Sequence, residues 1–388
     1  MNAPRKISLS QLFLEFLKLG ATGFGALAII DYIQREICEK KKWLDTETFN
    51  YGIVVSQMIP GSPTTQVASY VGLHLRGIAG AIVSFIAYNL PSFALMILLS
   101  YLYQRVHTIP QVASIFSGLQ AIILAIVLYA VFNFGKNFIK TTQELVISLI
   151  ALVWLLLEIH PIIAIIFSGV LGMLVFKRSS VVPSVSGTPH SNYGYKSILL
   201  LFLALSSGFV LLFFVNRKLF ELGASMLRVD LLAFGGGYAA IPIMFHEVVS
   251  RHQWLNAETF LNGIALGQVT PGPVIITSTF IGYLHSGFPG ALIATISIYS
   301  PSLLILITAV PYFDRLKNNP YFNRAVRGML CAFVGLLAWL ALSLGLKIHW
   351  DWFKIVLAGA SFIALLLKLE MVWIIIAGAI IITLSAFF

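Results

Sequence analysis

Charge is what this sequence has least of. Asp, Glu, Lys and Arg make up 10% of its 388 residues, against 59% hydrophobic, and the mean hydropathy is +0.91. A soluble domain carries roughly 25% charged residues, so this composition excludes a soluble globular fold and implies an integral membrane protein. Cysteine is nearly missing as well. Cys38 and Cys331 lie far apart and in no metal-type spacing, so neither a disulfide nor a metal site is inferred. There is no HExxH pair, no GxSxG turn and no phosphate-binding P-loop. No tight cluster of acid, base and nucleophile stands in their place, so an enzyme is not the expected class and no cofactor is implied. Energy from ATP would need another chain.

The charge that is present is mostly positive: 25 Lys and Arg against 15 Asp and Glu, a formal +10. Basic loops lying against anionic lipid produce that balance. For nucleic acid, the basic residues would have to gather on one soluble face, and here they are scattered between apolar runs. Those runs are about 20 residues long and lack the alternation of a barrel strand, so the spans are helices. They fall near 9–30, 49–74, 77–103, 111–134, 144–158 and 161–176, then near 197–215, 219–245, 258–285, 287–310, 325–345, 352–367 and 371–388. Between the two sets lies a polar linker from Lys177 to Lys196, rich in Ser, Pro and Gly. The amino terminus starts basic but carries Glu15 and Lys18 inside its apolar run and shows no small-residue cleavage site. It reads as a retained first helix.

The two sets are copies. Trp43-Leu44, Phe49, Gln57 and Pro60-Gly61 recur as Trp254-Leu255, Phe260, Gln268 and Pro271-Gly272 at a constant offset of 211 (254 − 43, for example). Gly72, Gly77, Gly80 and Pro91-Ser92 recur as Gly282, Gly287, Gly290 and Pro301-Ser302 at 210, as does Phe24-Gly25 in Phe234-Gly235. We therefore divide the chain into a first transmembrane repeat (1–176), a polar linker with an unpaired span (177–218) and a second repeat (219–388). An unpaired span between copies that each cross an even number of times turns the second copy over. The expected fold is an all-α integral membrane protein of two homologous, inverted repeats, with helices broken at Pro-Gly motifs. Loop charges leave the orientation open. Under the simplest count Arg35, Lys40, Lys41 and Lys42 oppose Lys177 and Arg178, a conflict that points to re-entrant breaks.

Those breaks organise the candidate site. Pro60-Gly61-Ser62-Pro63 and Pro271-Gly272-Pro273 interrupt apolar segments, and proline can neither donate to a helix nor continue it without a clash. In lipid the freed amides and carbonyls need protein or a polar cavity around them. Hydrophobic segments broken in this way, twice, mark a transport site built from half-helices. After each break the chain resumes with hydroxyls, Thr64 and Thr65 or Thr277, Ser278 and Thr279. A resuming helix presents free N–H groups and about half a positive charge, which suit an oxyanion; the plainer alternative is a kink in a packed helix. Gln57 and Gln268, which precede the breaks, join the candidate set. So do Gly25, Gly235 and Gly236, from glycine runs that weaken a helix in exchange for close approach to another helix or to a substrate. Lys18 and Arg228 each stand six residues before the repeated Phe-Gly. They either lend an anion a positive field or snorkel to the headgroups. Asp230, whose counterpart is Gly20, reads as a proton-titrating group or an ion-pair partner of Arg228. Glu36 and Glu247 match at 211 and are kept as coupling candidates, with a water-facing role as the plainer reading.

With these motifs in hand, the sequence resembles the chromate transporter family in its long, two-copy form. The likeness rests on AFGGGYAAIP (233–242), QWLNAETF (253–260) and IALGQVTPGPVIITSTFIGY (264–283) in the second copy. In the first it rests on FLKLGATGF (16–24), KWLDTETF (42–49), QMIPGSPTTQ (57–66) and YVGLHLRGIAGA (70–81). It covers nearly the whole chain outside 177–215. The first copy departs at Ala26-Leu27, where the family pattern has Gly and Pro, and at Ser62, which replaces the second proline of Pro-Gly-Pro. The resemblance implies a multi-pass protein of the bacterial inner membrane that exports chromate, driven by the proton gradient. Chromate is a tetrahedral dianion shaped like sulfate, and helix amino ends, hydroxyls and one or two cations suit such a guest.

The expected function is secondary transport of a small inorganic oxyanion, with the site between the copies near Pro60–Thr65 and Pro271–Thr279. Three other readings stay open: a carrier for sulfate or an organic acid on the same scaffold, a passive anion channel, and a membrane enzyme acting on anionic headgroups. The expected partners are the oxyanion and membrane lipids, with no nucleic acid. Two copies in one chain suffice for a two-copy site, and a homodimer is compatible with it.

Overall fold

A computed structural model describes residues 7–23, 26–177 and 195–385. Gly25, one of the candidate site residues, lies outside them. Among the described residues the chain is helical throughout, with no β-strand. The first copy comprises α1 (Leu9–Thr22), α2 (Ala26–Gln34), α3 (Thr46–Met58), α4 (Pro63–Val106), α5 (Pro110–Phe138), α6 (Thr142–Leu156) and α7 (Pro161–Val175). Next come α8 (Tyr195–Val215), then α9 (Arg217–Leu231), α10 (Gly237–Phe245), α11 (Ala257–Val269), α12 (Thr277–Ala309) and the short α13 (Phe313–Lys317). The chain closes with α14 (Pro320–Gly345), α15 (Trp352–Leu366) and α16 (Met371–Ser385). The repeat extends to backbone detail. A π-helical turn follows α2 at Arg35–Lys40 and α10 at His246–Arg251, and Lys42 and Gln253 share a φ of 54°.

A straight α4 would run about 66 Å, more than twice the ~30 Å hydrocarbon core. It is instead folded back on itself. Arg76 and Gly77 (φ 63°, ψ −153°) reverse α4, as Ser286 and Gly287 (φ 63°, ψ −152°) reverse α12. The Gly72 and Gly80 backbones touch, and Thr65 Oγ1 donates to Asn89 Oδ1 at 3.2 Å. Across the α12 turn, Gly282 meets Gly290 and the hydroxyls of Thr279 and Thr295 lie 2.7 Å apart. The limb before each break is folded back too. Gly52 of α3 faces the Tyr70 ring, and Gly263 of α11 the Phe280 ring, pairs that a straight path would hold about 25 Å apart. Each Pro-Gly break is therefore the tip of a re-entrant hairpin. Glu15 of α1 reaches Lys41 at 2.8 Å and Arg228 of α9 reaches Glu247 at 2.9 Å, so α1–α2 and α9–α10 are hairpins as well, the second turning at Gly235-Gly236.

Among the described residues, five helices are long and apolar enough to cross a membrane: Pro63–Val106, Pro110–Phe138, Ile198–Val215, Val274–Lys317 and Pro320–Gly345. The α6–α7 pair returns to its starting side, because Glu144 opening α6 and Lys177 past α7 bond to Arg327 and Arg324, which share a turn of α14. Counted by the long apolar helices, the first copy has two (α4 past its turn and α5) and α8 adds one, a count that turns the second copy over. The same path brings Arg35, Lys40, Lys41, Lys42 and Lys177 to one side. The sequence count opposed them because it took each broken segment as a crossing.

The copies are interlocked. α5 packs on α15 and α16, and α14 packs on α6 and α7, so each long helix is clasped by the other copy's short pair. Small residues permit the approach: Gly172 of α7 lies against the Gly328 backbone of α14. Apolar side chains such as Leu199, Leu200, Phe214 and Trp373 point outward, where lipid is as apolar as they are.

Candidate functional site

Hairpin tips from both copies meet, and they bond across copies. Gly61 N–H donates to Ala233 O at 3.0 Å, and Gly272 N–H donates to Gly23 O at 2.8 Å. Each break is thus tied to the glycine turn of the other copy. The helices behind obey the same rule. Ser302 Oγ of α12 accepts from Ser62 N–H at 3.3 Å, and Ser92 Oγ of α4 donates to Pro271 O at 2.5 Å. Reciprocal contacts of this kind are what a two-fold relation produces. Gly61 (φ 114°) and Gly272 (φ 95°) are left-handed. A Cβ on Gly61 would overlap the Ser302 hydroxyl, and one on Gly272 would stand 2.5 Å from Ser92 Oγ. Glycine alone fits both positions.

Three helix amino ends are neighbours at this junction: α4 at Pro63, α10 at Gly237, and the 3-10 turn Val274–Ile276 that leads into α12. A Cβ on Gly236 would lie 3.5 Å from Pro63 Cδ, and one on Gly237 would lie 3.9 Å from Val274 N. None of the three has a side-chain cap. By contrast α1, α3, α6, α9, α11, α14 and α15, which start at the outer ends, are capped by Ser, Thr, Asp or Asn (α5, opening at Pro110, is an outer helix without a cap). Uncapped first-turn N–H groups need an acceptor from elsewhere, and the positive end of the helix dipole favours an anion.

Pro60, Gly61, Thr64, Thr65, Pro271, Gly272, Pro273, Thr277, Gly235 and Gly236 all belong to this junction, yet the hydroxyls are not the donors the sequence suggested. Thr277 Oγ1 donates to Val274 O at 2.8 Å, Thr65 Oγ1 to Asn89, and Thr64 Oγ1 lies 3.3 Å from Ser62 Oγ. A hydroxyl has one hydrogen, and two of these three spend it inside the protein. The backbone N–H groups remain, together with Ser278, buried with no hydrogen-bond partner on Oγ. The two glutamines also part company. Gln268 is buried and donates to Tyr238 OH at 3.0 Å, whereas Gln57 is exposed. Tyr238 has Ala28 as its counterpart, so the first copy offers no hydroxyl to match.

Arg228 is engaged elsewhere too. It bonds Glu247 at 2.9 Å and Ser225 Oγ at 3.0 Å, and pairs with neither Asp230 nor a break; Lys18 is exposed. Glu247 and Glu36 lie outside the spans and are ion-paired rather than water-facing. Burial pushes the Glu247 carboxyl up, but Arg228 and Arg251 outweigh it and hold it below the usual carboxylate range. A hydrogen bond from Lys40 does the same for Glu36. Sequence reasoning missed Gln66, whose Nε2 donates to Pro60 O at 2.6 Å, and the roles of Ser92 and Ser302. The repeated Pro-Ser at an offset of 210 was the available signal for the serines.

A family model described as "Chromate transporter" matches residues 10–173 and again residues 220–383. An uncharacterized transporter of Methanocaldococcus jannaschii is 38% identical over 97% of this chain and 94% of its own length. A probable chromate transport protein of Synechococcus elongatus is 30% identical over 87% of this chain and 85% of its own. The chromate transport protein of Cupriavidus metallidurans is 29% identical, over 98% and 94% respectively. No solved structure matches the chain.

Proposed function

The chain belongs to the chromate transporter family, and from that premise we propose that it exports chromate across the inner membrane, driven by the proton gradient. One observation carries this reading: three uncapped helix amino ends meet between the copies, beside glycines that let the breaks approach one another closely. Backbone N–H groups at the starts of α4, α10 and the turn before α12, with the Ser278 hydroxyl, hold the tetrahedral dianion. Neutral donors of this kind bind without a fixed counter-charge, so the anion can leave again. Two inverted copies rocking about the shared junction expose it to each side in turn. The side that carries Arg35, Lys40, Lys41, Lys42 and Lys177 is cytoplasmic by the positive-inside rule. Proton coupling is supported by Asp230, a buried carboxylate with no cation beside it.

Sulfate has the same shape and charge, and N–H donors read little else. The test is therefore labelled chromate accumulation in cells that express or lack the protein, with sulfate as competitor. Lower accumulation with the protein, abolished when an ionophore collapses the proton gradient, is the expected result. Unchanged accumulation with the protein verified in the membrane would remove chromate as the substrate.

A further inference from the structure

Five carboxylates are buried among the described residues: Glu15, Glu36, Glu144, Asp230 and Glu247. Four touch a cation, respectively Lys41, Lys40, Arg327 and, for Glu247, Arg228 with Arg251. Asp230 forms no such pair. It ends α9 at 0% exposure, and Arg228, two residues before it, turns to Glu247. Its Oδ2 accepts from both the N–H and the hydroxyl of Ser302, at 2.8 and 2.7 Å, while Oδ1 has no hydrogen-bond partner. The titratable group facing it from α12 is Tyr299, its hydroxyl buried without a hydrogen-bond partner, with Tyr88 of α4 beyond. α10, and α8 over residues 198–215, also pack on or beside α9 and bring no charged side chain. A buried carboxylate without a cation is among the costliest groups a fold can hold, and a proton removes that cost.

Ser302 is also the residue that accepts Ser62 N–H from the first break. A continuous line therefore runs from Ser62 N–H through Ser302 Oγ to Asp230. The second break has no such line. Gly20 occupies the position equivalent to Asp230, packed against the Tyr88 backbone, and Ser92 donates to the Pro271 carbonyl instead.

We propose that Asp230 is the proton-carrying group of the transport cycle and that its charge acts, through Ser302, on the first break alone. This rests on the transport reading above. With Asp230 ionised, Ser302 directs both its hydrogens to Oδ2 and a lone pair to Ser62 N–H, holding the first break against α12. A proton from solution forms an O–H bond at Oδ1, and the carboxylate becomes a neutral acid; no other covalent bond is made or broken. The charge-assisted bonds from Ser302 become neutral ones of about half the strength, and the Ser302 hydroxyl and Ser62 N–H are released toward the anion. Loss of the proton to the opposite side restores the first arrangement. The second break keeps one arrangement throughout and retains the anion. Ser302 turns hydrogens rather than lone pairs to the carboxylate, which suits a proton and not a sodium ion.

The test uses the full chain in liposomes, wild type beside Asp230→Asn and Ser302→Ala, each checked for a monodisperse elution profile. Infrared difference spectra over a pH titration read the carboxylic acid carbonyl band with no anion present. Labelled chromate then compares equilibrium exchange with uphill accumulation under an imposed pH gradient. The expected result is a band lost in Asp230→Asn and kept in Ser302→Ala. In both variants the ratio of uphill accumulation to exchange falls at least about tenfold. The same band in wild type and Asp230→Asn overturns the proposal, as does a gradient-coupled Asp230→Asn or a wild type driven by sodium instead. If the asparagine variant does not insert, Ser302→Ala with a wild-type coupling ratio overturns it alone. A wild type that neither exchanges nor accumulates chromate defeats the transport reading, while the infrared band still decides whether Asp230 takes the proton.

Discussion

The two Pro-Gly breaks share a motif, a left-handed glycine and a bond to the other copy's glycine turn, yet their serines work in opposite senses. Ser92 gives its hydrogen to the second break, at Pro271 O. Ser302 gives its hydrogen to Asp230 and only accepts from the first break, at Ser62 N–H. One side chain makes the difference: aspartate at 230 where the first copy has Gly20. Duplication supplied two equivalent breaks, and a single carboxylate bonds to the serine behind one of them only. The Glu36 and Glu247 clusters show a milder version of the same divergence. Glu36 is held by a Lys40 that is 66% exposed, whereas Glu247 is enclosed by Arg228 and Arg251 and approached by His160 at 3.3 Å.

The most severe way to break the comparison is to fill the glycines. Gly61→Val and Gly272→Val each add left-handed strain of about 1–2 kcal/mol to an overlap with a serine hydroxyl. Each should lower chromate exchange by at least about 100-fold, in protein that still elutes as one peak; a fully active Gly272→Val would mean the break is not the site. The serines come next. Ser302→Ala removes a bond to a buried charge, worth about 1.5–3 kcal/mol, whereas Ser92→Ala removes a neutral one worth about 1 kcal/mol. The melting temperature of the first variant should therefore drop about twice as far as that of the second, and equal drops would show that Asp230 carries no charge at the pH of the melt.

Replacing the clamp carboxylates gives a smaller contrast. Glu247→Gln should destabilise the protein clearly and Glu36→Gln only slightly, since an ion pair with an exposed lysine is screened. The pH dependence has a definite sign. Glu247 is held below its unfolded value, so its contribution is complete above about pH 4.3 and is lost as pH falls through the folded value. Melting curves taken through that acid range should be flatter in Glu247→Gln than in wild type. The smallest effect belongs to Tyr238→Phe, which leaves Gln268 short of one partner at a cost of about 1 kcal/mol. Melting should register that loss, while a matched change at Gln57, which has no such partner to lose, should do nothing.

Much of this architecture was legible beforehand because it rests on local chemistry. Scarce charge and long apolar runs settle a membrane helix protein. Proline and glycine at repeated spacing settle two copies and the location of the breaks, since a missing N–H or a left-handed φ is a property of the residue itself. The split of 9–30 and of 219–245 into hairpins was not legible, because a glycine run marks both a tight turn and a close helix contact. Nor was the partner of Arg228, for which the sequence offered Asp230, two residues away, as one of two readings of that aspartate. Neighbours two apart on a helix face different directions, and Glu247 reaches Arg228 only once α9 and α10 fold together.

The sequence by itself thus determined which segments enter the membrane, where they break and that they do so twice. Loop charges point to re-entrant breaks; tertiary structure decided that they are hairpin tips each bonded by the opposite copy, and that the Thr65 and Thr277 hydroxyls, expected to serve an anion, are used within the protein. It also singled out Asp230. Its burial, its lack of a cation and its hold on Ser302 come from residues more than 50 positions away in some cases, and the chain reveals such proximities only after it has folded.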